Sequence, residues 1–173
     1  MSTTMMTGTN VGSMISGPLK MTLGYADKLI QSIPADQFAA MPRADLNSPA
    51  FCIGHLAIYA PMVAGMIGSA EGIETPAHYQ DLFKNGAPCI ATPGHYPSKA
   101  ELIGHFVGGW SKVAELLATV DDARLSQPNP MEQMIERLPT VGGMVSFMSL
   151  AHNMMHLGQI SAWRRVMGLG SAM

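Results

Sequence analysis

The sequence has few charged residues. Asp, Glu, Lys and Arg together make up 13% of its 173 residues, about half the share that is usual in globular proteins. The Lys and Arg residues are scattered rather than clustered, and the net charge is −2. Since a nucleic-acid-binding surface needs a basic patch, the composition predicts no nucleic-acid partner.

Cysteine is also scarce, and strand-like alternation of apolar and polar residues is absent. Cys52 and Cys89 are the two cysteines, too few for a disulfide framework. With no signal peptide visible, they favour a reducing compartment, and we expect a cytoplasmic protein. Without period-two alternation no β-sheet is predicted.

Two long stretches, residues 46–70 and 138–163, contain no charged residue at all. Each is long enough to cross a bilayer, so a membrane protein is the alternative interpretation. The first stretch contains His55 and the second contains His152 and His156, and such polar groups are costly in lipid. We therefore expect these two stretches to be the most buried helices of a protein without a membrane partner. One of them is also expected to lie at the interface of a homodimer.

Helical periodicity runs through most of the chain. Apolar residues recur at steps of three and four in four segments, about residues 18–33, 48–67, 98–120 and 139–167. Ser48 and Ser98 are predicted N-caps, and Pro61 is predicted to kink the second helix. The pattern predicts an all-α protein, a four-helix bundle with long connections.

The predicted domain organisation is simple. Residues 1–17 are rich in Ser, Thr, Gly and Met and carry no Lys or Arg, so we expect a flexible N-terminal arm. Residues 18–173 are predicted to form one bundle domain. The connection over residues 68–97 is long and rich in Pro and Gly, and loops of this kind often cover a functional site.

Three histidines carry the chemical prediction. His152 and His156 stand four residues apart, which places both imidazoles on one face of a helix, where they can share a metal ion. Such a pair also arises by chance. His55 lies on the other uncharged helix, and three imidazoles leave coordination positions open, as catalytic metal sites do.

The motifs around these histidines resemble those of the DinB-like (YfiT-type) family. Residues 47–56, NSPAFCIGHL, resemble its second-helix motif, and residues 151–165, AHNMMHLGQISAWRR, resemble its fourth-helix motif. Residues 98–110 resemble its third helix. The resemblance implies a four-helix bundle, often dimeric, that binds zinc, nickel or a related divalent ion through His55, His152 and His156.

In several branches of that family the metal works with a low-molecular-weight thiol. The resemblance therefore implies a thiol S-transferase, with a small-molecule thiol or electrophile as partner. In the metalloprotease motif H-E-x-x-H the Glu is the general base. Asn153 occupies that place here and cannot accept a proton, so proteolysis is not expected. A non-catalytic metal-binding bundle remains the alternative.

Other polar residues near these motifs have two interpretations each. Tyr59 and Gln159 lie within one helical turn of a predicted ligand and are candidate catalytic residues that orient a substrate; a core role is equally open. Cys52 is either a fourth ligand or, more in keeping with its apolar setting, a buried thiol. His105 is predicted to be a hydrogen-bonded core residue rather than a ligand.

Overall fold

A computed structural model describes residues 10–172 of the chain, and this range is helical with no β-strand. The helices are α1 Val11–Gln31, α2 Pro49–Ala57, α3 Ala60–Ile67, α4 Tyr79–Phe83, α5 Lys99–Thr119, α6 Asp122–Leu125, α7 Val141–Ser146 and α8 Asn153–Val166. A π-helical turn, Phe147–His152, joins α7 to α8, and short 3-10 turns span Ala35–Gln37 and Glu132–Met134. The predicted all-α class is confirmed.

Helix α1 begins earlier than the sequence predicted. Its N-cap is Asn10, whose side-chain oxygen accepts a hydrogen bond from the backbone N–H of Ser13 at 2.7 Å. The prediction that the helix opens at Pro18 is wrong, and residues 11–17 of the expected arm form its first two turns. They are held there because Gly12 lets α1 approach the backbone of α5 at Leu117. Residues 1–9 of the expected arm lie outside the described residues.

Helices α2 and α3 form one apolar stretch with a kink. Ser48 caps α2, accepting from the backbone N–H of Phe51 at 3.3 Å, as predicted. The helix breaks one turn before its proline, because Pro61 has no N–H to donate. The indole N–H of Trp110 in α5 donates to the Leu56 carbonyl at 3.0 Å, which ties the kinked region to α5.

The long helices pack in a ring. Helix α1 lies against α5, α5 against α2, α2 against α8, and α8 against α1. Within residues 10–172, one helical stretch, Pro49–Ile67, is long and apolar enough to cross a membrane, and 78% of its apolar window is buried inside the protein. Its position in the core accounts for its composition.

The turn between α7 and α8 changes which residues face the core. A π turn contains one residue more than an α-helical turn. As a result, the residue that follows Met148 on the buried face is Asn153 rather than His152. A regular spacing of three and four residues from Met148 through His152 would place Met155 on the core side as well, whereas its side chain is 57% exposed. The Asn153 amide donates to the carbonyls of Met148 and Ser149 at 3.3 and 3.0 Å, so it satisfies backbone groups of the π turn.

Three contacts hold the ends of the helices in place. Ser98 caps α5, accepting from the Glu101 N–H at 3.2 Å, as predicted. The Glu101 carboxylate accepts from the hydroxyl of Tyr79 at 2.9 Å, which ties α4 to α5. The buried guanidinium of Arg164 donates to the carbonyl of Leu29 at 2.7 Å, so α8 caps the end of α1.

Candidate metal centre

Three histidines meet between α2 and the junction of the π turn with α8. One ring nitrogen from each of His55, His152 and His156 lies within 4.8 Å of the other two. The His55 ring centroid is 5.2 Å from that of His152 and 4.6 Å from that of His156. The structure thus brings together the three residues that the sequence nominated as ligands, in a group that could hold a metal ion.

The orientation of the His55 ring is fixed by α4. Its Nδ1 lies 2.6 Å from the backbone carbonyl oxygen of Phe83. A carbonyl only accepts, so the proton is on Nδ1, and the lone pair is on Nε2. That nitrogen faces His152, so the carbonyl of Phe83 sets the tautomer that metal binding requires.

Gly54 explains how α4 comes so close to α2. A Cβ at this position would come within 2.6 Å of three carbons of the Phe83 ring. The ring is fully buried and stacks on Tyr96, with centroids 5.3 Å apart, so it has no free space to move into. The glycine next to His55 therefore allows the contact that orients the imidazole.

The distances between the imidazoles fit a metal ion. Nitrogen ligands about 2.0–2.1 Å from a tetrahedral zinc are about 3.4 Å apart. The Nε2 atoms of His55 and His152 are 3.3 Å apart. In addition, Nδ1 of His156 is buried without a hydrogen-bond partner, whereas histidines that serve only as core residues are normally hydrogen-bonded. The residues present therefore fit a divalent ion.

The electrostatics keep the cluster neutral. Burial, and then repulsion from the other rings, lowers the pKa of His152 to about 4. The pKa of His156 is also lowered to about 4, mainly by burial and by the nearby His55. Burial lowers the pKa of His55 as well, opposed by its bond to Phe83. Neutral imidazoles have a free lone pair, so at pH 7 an ion displaces no proton from a charged ring.

A cavity of about 390 Å³ opens beside the cluster, with His152 and Tyr59 in its wall. Tyr59 contacts both histidines with its edge: its ring lies 5.0 Å from that of His55 and 5.2 Å from that of His152. Burial raises the pKa of its hydroxyl, so Tyr59 is protonated at neutral pH. It is therefore placed to donate a hydrogen bond to a molecule in the cavity.

Gln159 and Cys52 lie behind the cluster rather than in the cavity. The side-chain oxygen of Gln159 accepts from the Asn47 amide at 3.1 Å and from the Cys52 thiol at 3.4 Å. Burial raises the pKa of the fully buried Cys52 thiol, and the three imidazoles meet without it. This agrees with the interpretation of Cys52 as a buried thiol. Gln159 is hydrogen-bonded to the ring of His156 and is not among the residues that line the cavity.

The other histidines of the described chain lie apart from the cluster. His105 is half-buried, and its ring meets Tyr79 edge-on at 5.3 Å. His78 is exposed and His95 half-buried in the connection before α5. The structure therefore does not add any of these three to the metal centre.

Sequence reasoning missed Phe83. The expected cover over residues 68–97 contains α4, which supplies the carbonyl that orients His55. A signal was present, because Tyr79, Leu82 and Phe83 have the spacing of one apolar helical face. The spacing could not reveal that the carbonyl of Phe83 orients His55, because every residue type has a backbone carbonyl.

A family comparison agrees with this geometry. The family model described as the DinB superfamily matches residues 19–160, a range that includes His55, His152 and His156. The chain belongs to the DinB superfamily. No curated protein matches the chain. Membership of this superfamily accounts for the resemblance of the second-, third- and fourth-helix motifs, and members of the family bind metals.

Proposed function

We propose that this DinB superfamily protein is a metal-dependent enzyme that acts with a low-molecular-weight thiol, as an S-transferase. The observation that carries the proposal is the opening of the three-histidine cluster onto a cavity at His152. A structural metal is usually enclosed by four protein ligands, whereas a catalytic one keeps a position free for its substrate. We propose zinc or nickel as the ion, since imidazole ligands suit both.

The ion would supply a positive charge that lowers the pKa of a thiol at the site. The protein residues do the rest. His55, His152 and His156 hold the ion, and the carbonyl of Phe83 keeps the His55 lone pair directed at it. Tyr59 donates a hydrogen bond to the second substrate, an electrophile in the cavity. Since the thiol loses its proton to solvent as it binds, no carboxylate base is needed at Asn153.

The test is a titration of the cobalt-substituted protein with cysteine, glutathione, bacillithiol and mycothiol. A sulfur-to-cobalt charge-transfer band should appear with at least one of them. His156→Ala should abolish the band, and the matched variant His105→Ala should retain it, because His105 lies outside the cluster. If no thiol gives a band and none is conjugated to an electrophile, the S-transferase proposal is wrong.

A second candidate is a metal-binding bundle without catalysis. One observation favours it: among residues 10–172, no Asp, Glu or Lys lines the cavity beside His152, so this part of the chain places no carboxylate or amine base there. In this role the ion would tie α2 to α8 and stabilise the fold. This second candidate function predicts that removing the metal with a chelator greatly lowers the melting temperature. It also predicts that no thiol changes the spectrum of the cobalt-substituted protein.

We also propose that the ring of long helices is the four-helix bundle of this family, with α2 and α3 as one kinked helix and α7 and α8 as another. We further propose a cytoplasmic homodimer. An apolar groove of about 580 Å³ between α1 and the start of α8 supports a dimer, because Met21 at its edge is 78% exposed and Met154 is 43% exposed. A monomer mass in light scattering at micromolar concentration would contradict this.

A further inference from the structure

The end of α4 directs two backbone groups at the metal centre and its cavity. The last carbonyls of a helix have no partner within that helix, and the carbonyl of Phe83 accepts from Nδ1 of His55 at 2.6 Å. Two residues further on, the backbone N–H of Asn85 donates to the hydroxyl oxygen of Tyr59. Both Tyr59 and Asn85 line the cavity. One short segment therefore contacts a proposed metal ligand and the tyrosine beside it.

The backbone that follows α4 forms a tight turn of defined shape. The carbonyl of Lys84 accepts from the N–H of Ala87 at 3.0 Å, and Gly86 has a φ of +83°. A hydrogen bond across four residues with a positive φ at the third is typical of a type II β-turn. The N–H of Asn85, at the second position, takes no part in the hydrogen bond that closes this turn. The turn therefore holds that N–H in place for Tyr59.

The bond from Asn85 decides how the Tyr59 hydroxyl can be used. A backbone N–H only donates, so the phenolic oxygen is the acceptor, and the hydroxyl hydrogen remains for a second partner. Burial raises the pKa of this hydroxyl, opposed by the Asn85 N–H, so the hydrogen is present at neutral pH. A hydroxyl that accepts one hydrogen bond also donates a stronger one, because linked hydrogen bonds polarise each other.

We infer that Asn85 is a positioning residue: its backbone N–H holds the Tyr59 hydroxyl so that the hydrogen is directed at an acceptor atom of a molecule in the cavity. The substrate class that follows is an electrophile with an acceptor oxygen, such as a carbonyl compound or an epoxide. In naming a substrate the inference rests on the proposed function. The orientation of Tyr59 and its bond to a ligand are measured without a thiol and without turnover, so the two proposals can fail separately.

The deciding variant is Asn85→Pro, which removes the backbone N–H. Proline is common at the second position of a type II turn and requires an extended residue before it, as Lys84 is, with a ψ of 160°. The turn should therefore keep its shape. The control Asn85→Ala removes the side-chain amide and keeps the N–H. The full chain, as purified, is labelled with 13C at the tyrosine Cζ atoms, and NMR signals are assigned by single Tyr→Phe substitutions. Tyr25, in the wall of the α1–α8 groove, reports binding elsewhere.

Asn85→Pro should move the Tyr59 signal, and Asn85→Ala should leave it close to its original position. An unmoved signal in Asn85→Pro would overturn the inference.

Two uncharged probes test the direction of the hydroxyl hydrogen. Acetophenone should shift the Tyr59 signal, and α-methylstyrene is its counterpart with a methylene in place of the carbonyl oxygen. Asn85→Pro and Tyr59→Phe should each weaken acetophenone binding about fivefold in calorimetry, the effect of one neutral hydrogen bond, and should leave α-methylstyrene binding unchanged. An acetophenone response confined to Tyr25 would overturn the inference. So would full acetophenone affinity in Tyr59→Phe, because the ion would then hold the carbonyl, or an equal loss for both probes.

Discussion

Replacing Gly54 by Ala should weaken metal binding without changing any ligand. The added Cβ would come within 2.6 Å of three carbons of the Phe83 ring, whereas carbon atoms pack best at about 3.5–4.0 Å. The ring must therefore retreat by about 1 Å or more. It is fully buried between Tyr79 and Tyr96, with ring centroids 5.3 Å away in both cases, so the displacement passes to the backbone of α4.

That backbone carries the carbonyl that accepts from His55 at 2.6 Å. Overpacking of a core costs about 1–3 kcal/mol, partly offset by about 1 kcal/mol from the better helix propensity of alanine. Loss of a partner that orients a ligand typically lowers metal affinity about 10–100-fold. We expect Gly54→Ala to show both effects, a lower melting temperature of the metal-free protein and a higher dissociation constant for zinc.

The matched control is Gly65→Ala in α3. Gly65 is exposed, and a Cβ there would have no atom within 4 Å, so stability should be unchanged or slightly higher and zinc affinity should not change. Affinity is measured by competition with a chromophoric chelator, and stability by thermal melting. If Gly54→Ala binds zinc as tightly as the unmodified chain, Phe83 does not orient His55, whatever happens to the melting temperature.

Two further predictions concern stability. Arg164→Ala removes the donor to the Leu29 carbonyl and to two other groups, and it should lower the free energy of unfolding in urea by roughly 3 kcal/mol or more. The control Arg165→Ala, at an exposed position, should change it by no more than about 0.5 kcal/mol. Equal effects of the two substitutions would refute the capping role of Arg164. For pH, the folded pKa values of His152 and His156, about 4, lie below the ordinary 6.5. The unfolded chain therefore takes up protons first, and metal-free stability, fully present above pH 6.5, should fall between pH 6.5 and about 4. A double alanine variant of the two histidines with the same pH profile would contradict this.

The fold was predictable wherever helical spacing and caps agree. Ser48 and Ser98 cap helices, and Pro61 breaks one, because each effect depends on local backbone chemistry that the residue type reveals. The start of α1 was missed, although buried Ile15 lies four residues before Leu19 and continues the apolar stripe of the helix. Its first turns also depend on a contact of Gly12 with α5, which is a tertiary effect.

The three candidate ligands could be predicted from the sequence, whereas the structure around them could not. The spacing of His152 and His156 indicated a shared ion, and the structure brings His55 to them. The π turn that ends at His152 was missed, because a regular repeat assumes 3.6 residues per turn throughout. It places His152 and His156 at the half-buried edge of the core, with His152 in the wall of the cavity.

The structure also bears on how metal binding depends on pH. Ordinary histidines would begin to lose a metal ion as the pH falls below about 6. Burial lowers the pKa of His152 and His156 to about 4, so protons compete for these ligands only in more acidic solution. We therefore expect occupancy to persist below pH 6.

Elemental analysis of the purified protein tests the central claim most directly. The unmodified chain and His105→Ala should each contain close to one divalent ion per chain after dialysis. His55→Ala, His152→Ala and His156→Ala should each lose most of it, because two imidazoles make a poor site and these three nitrogens lie together. Full metal content in any of these three variants, with folding verified by circular dichroism, would contradict the assignment of the metal centre.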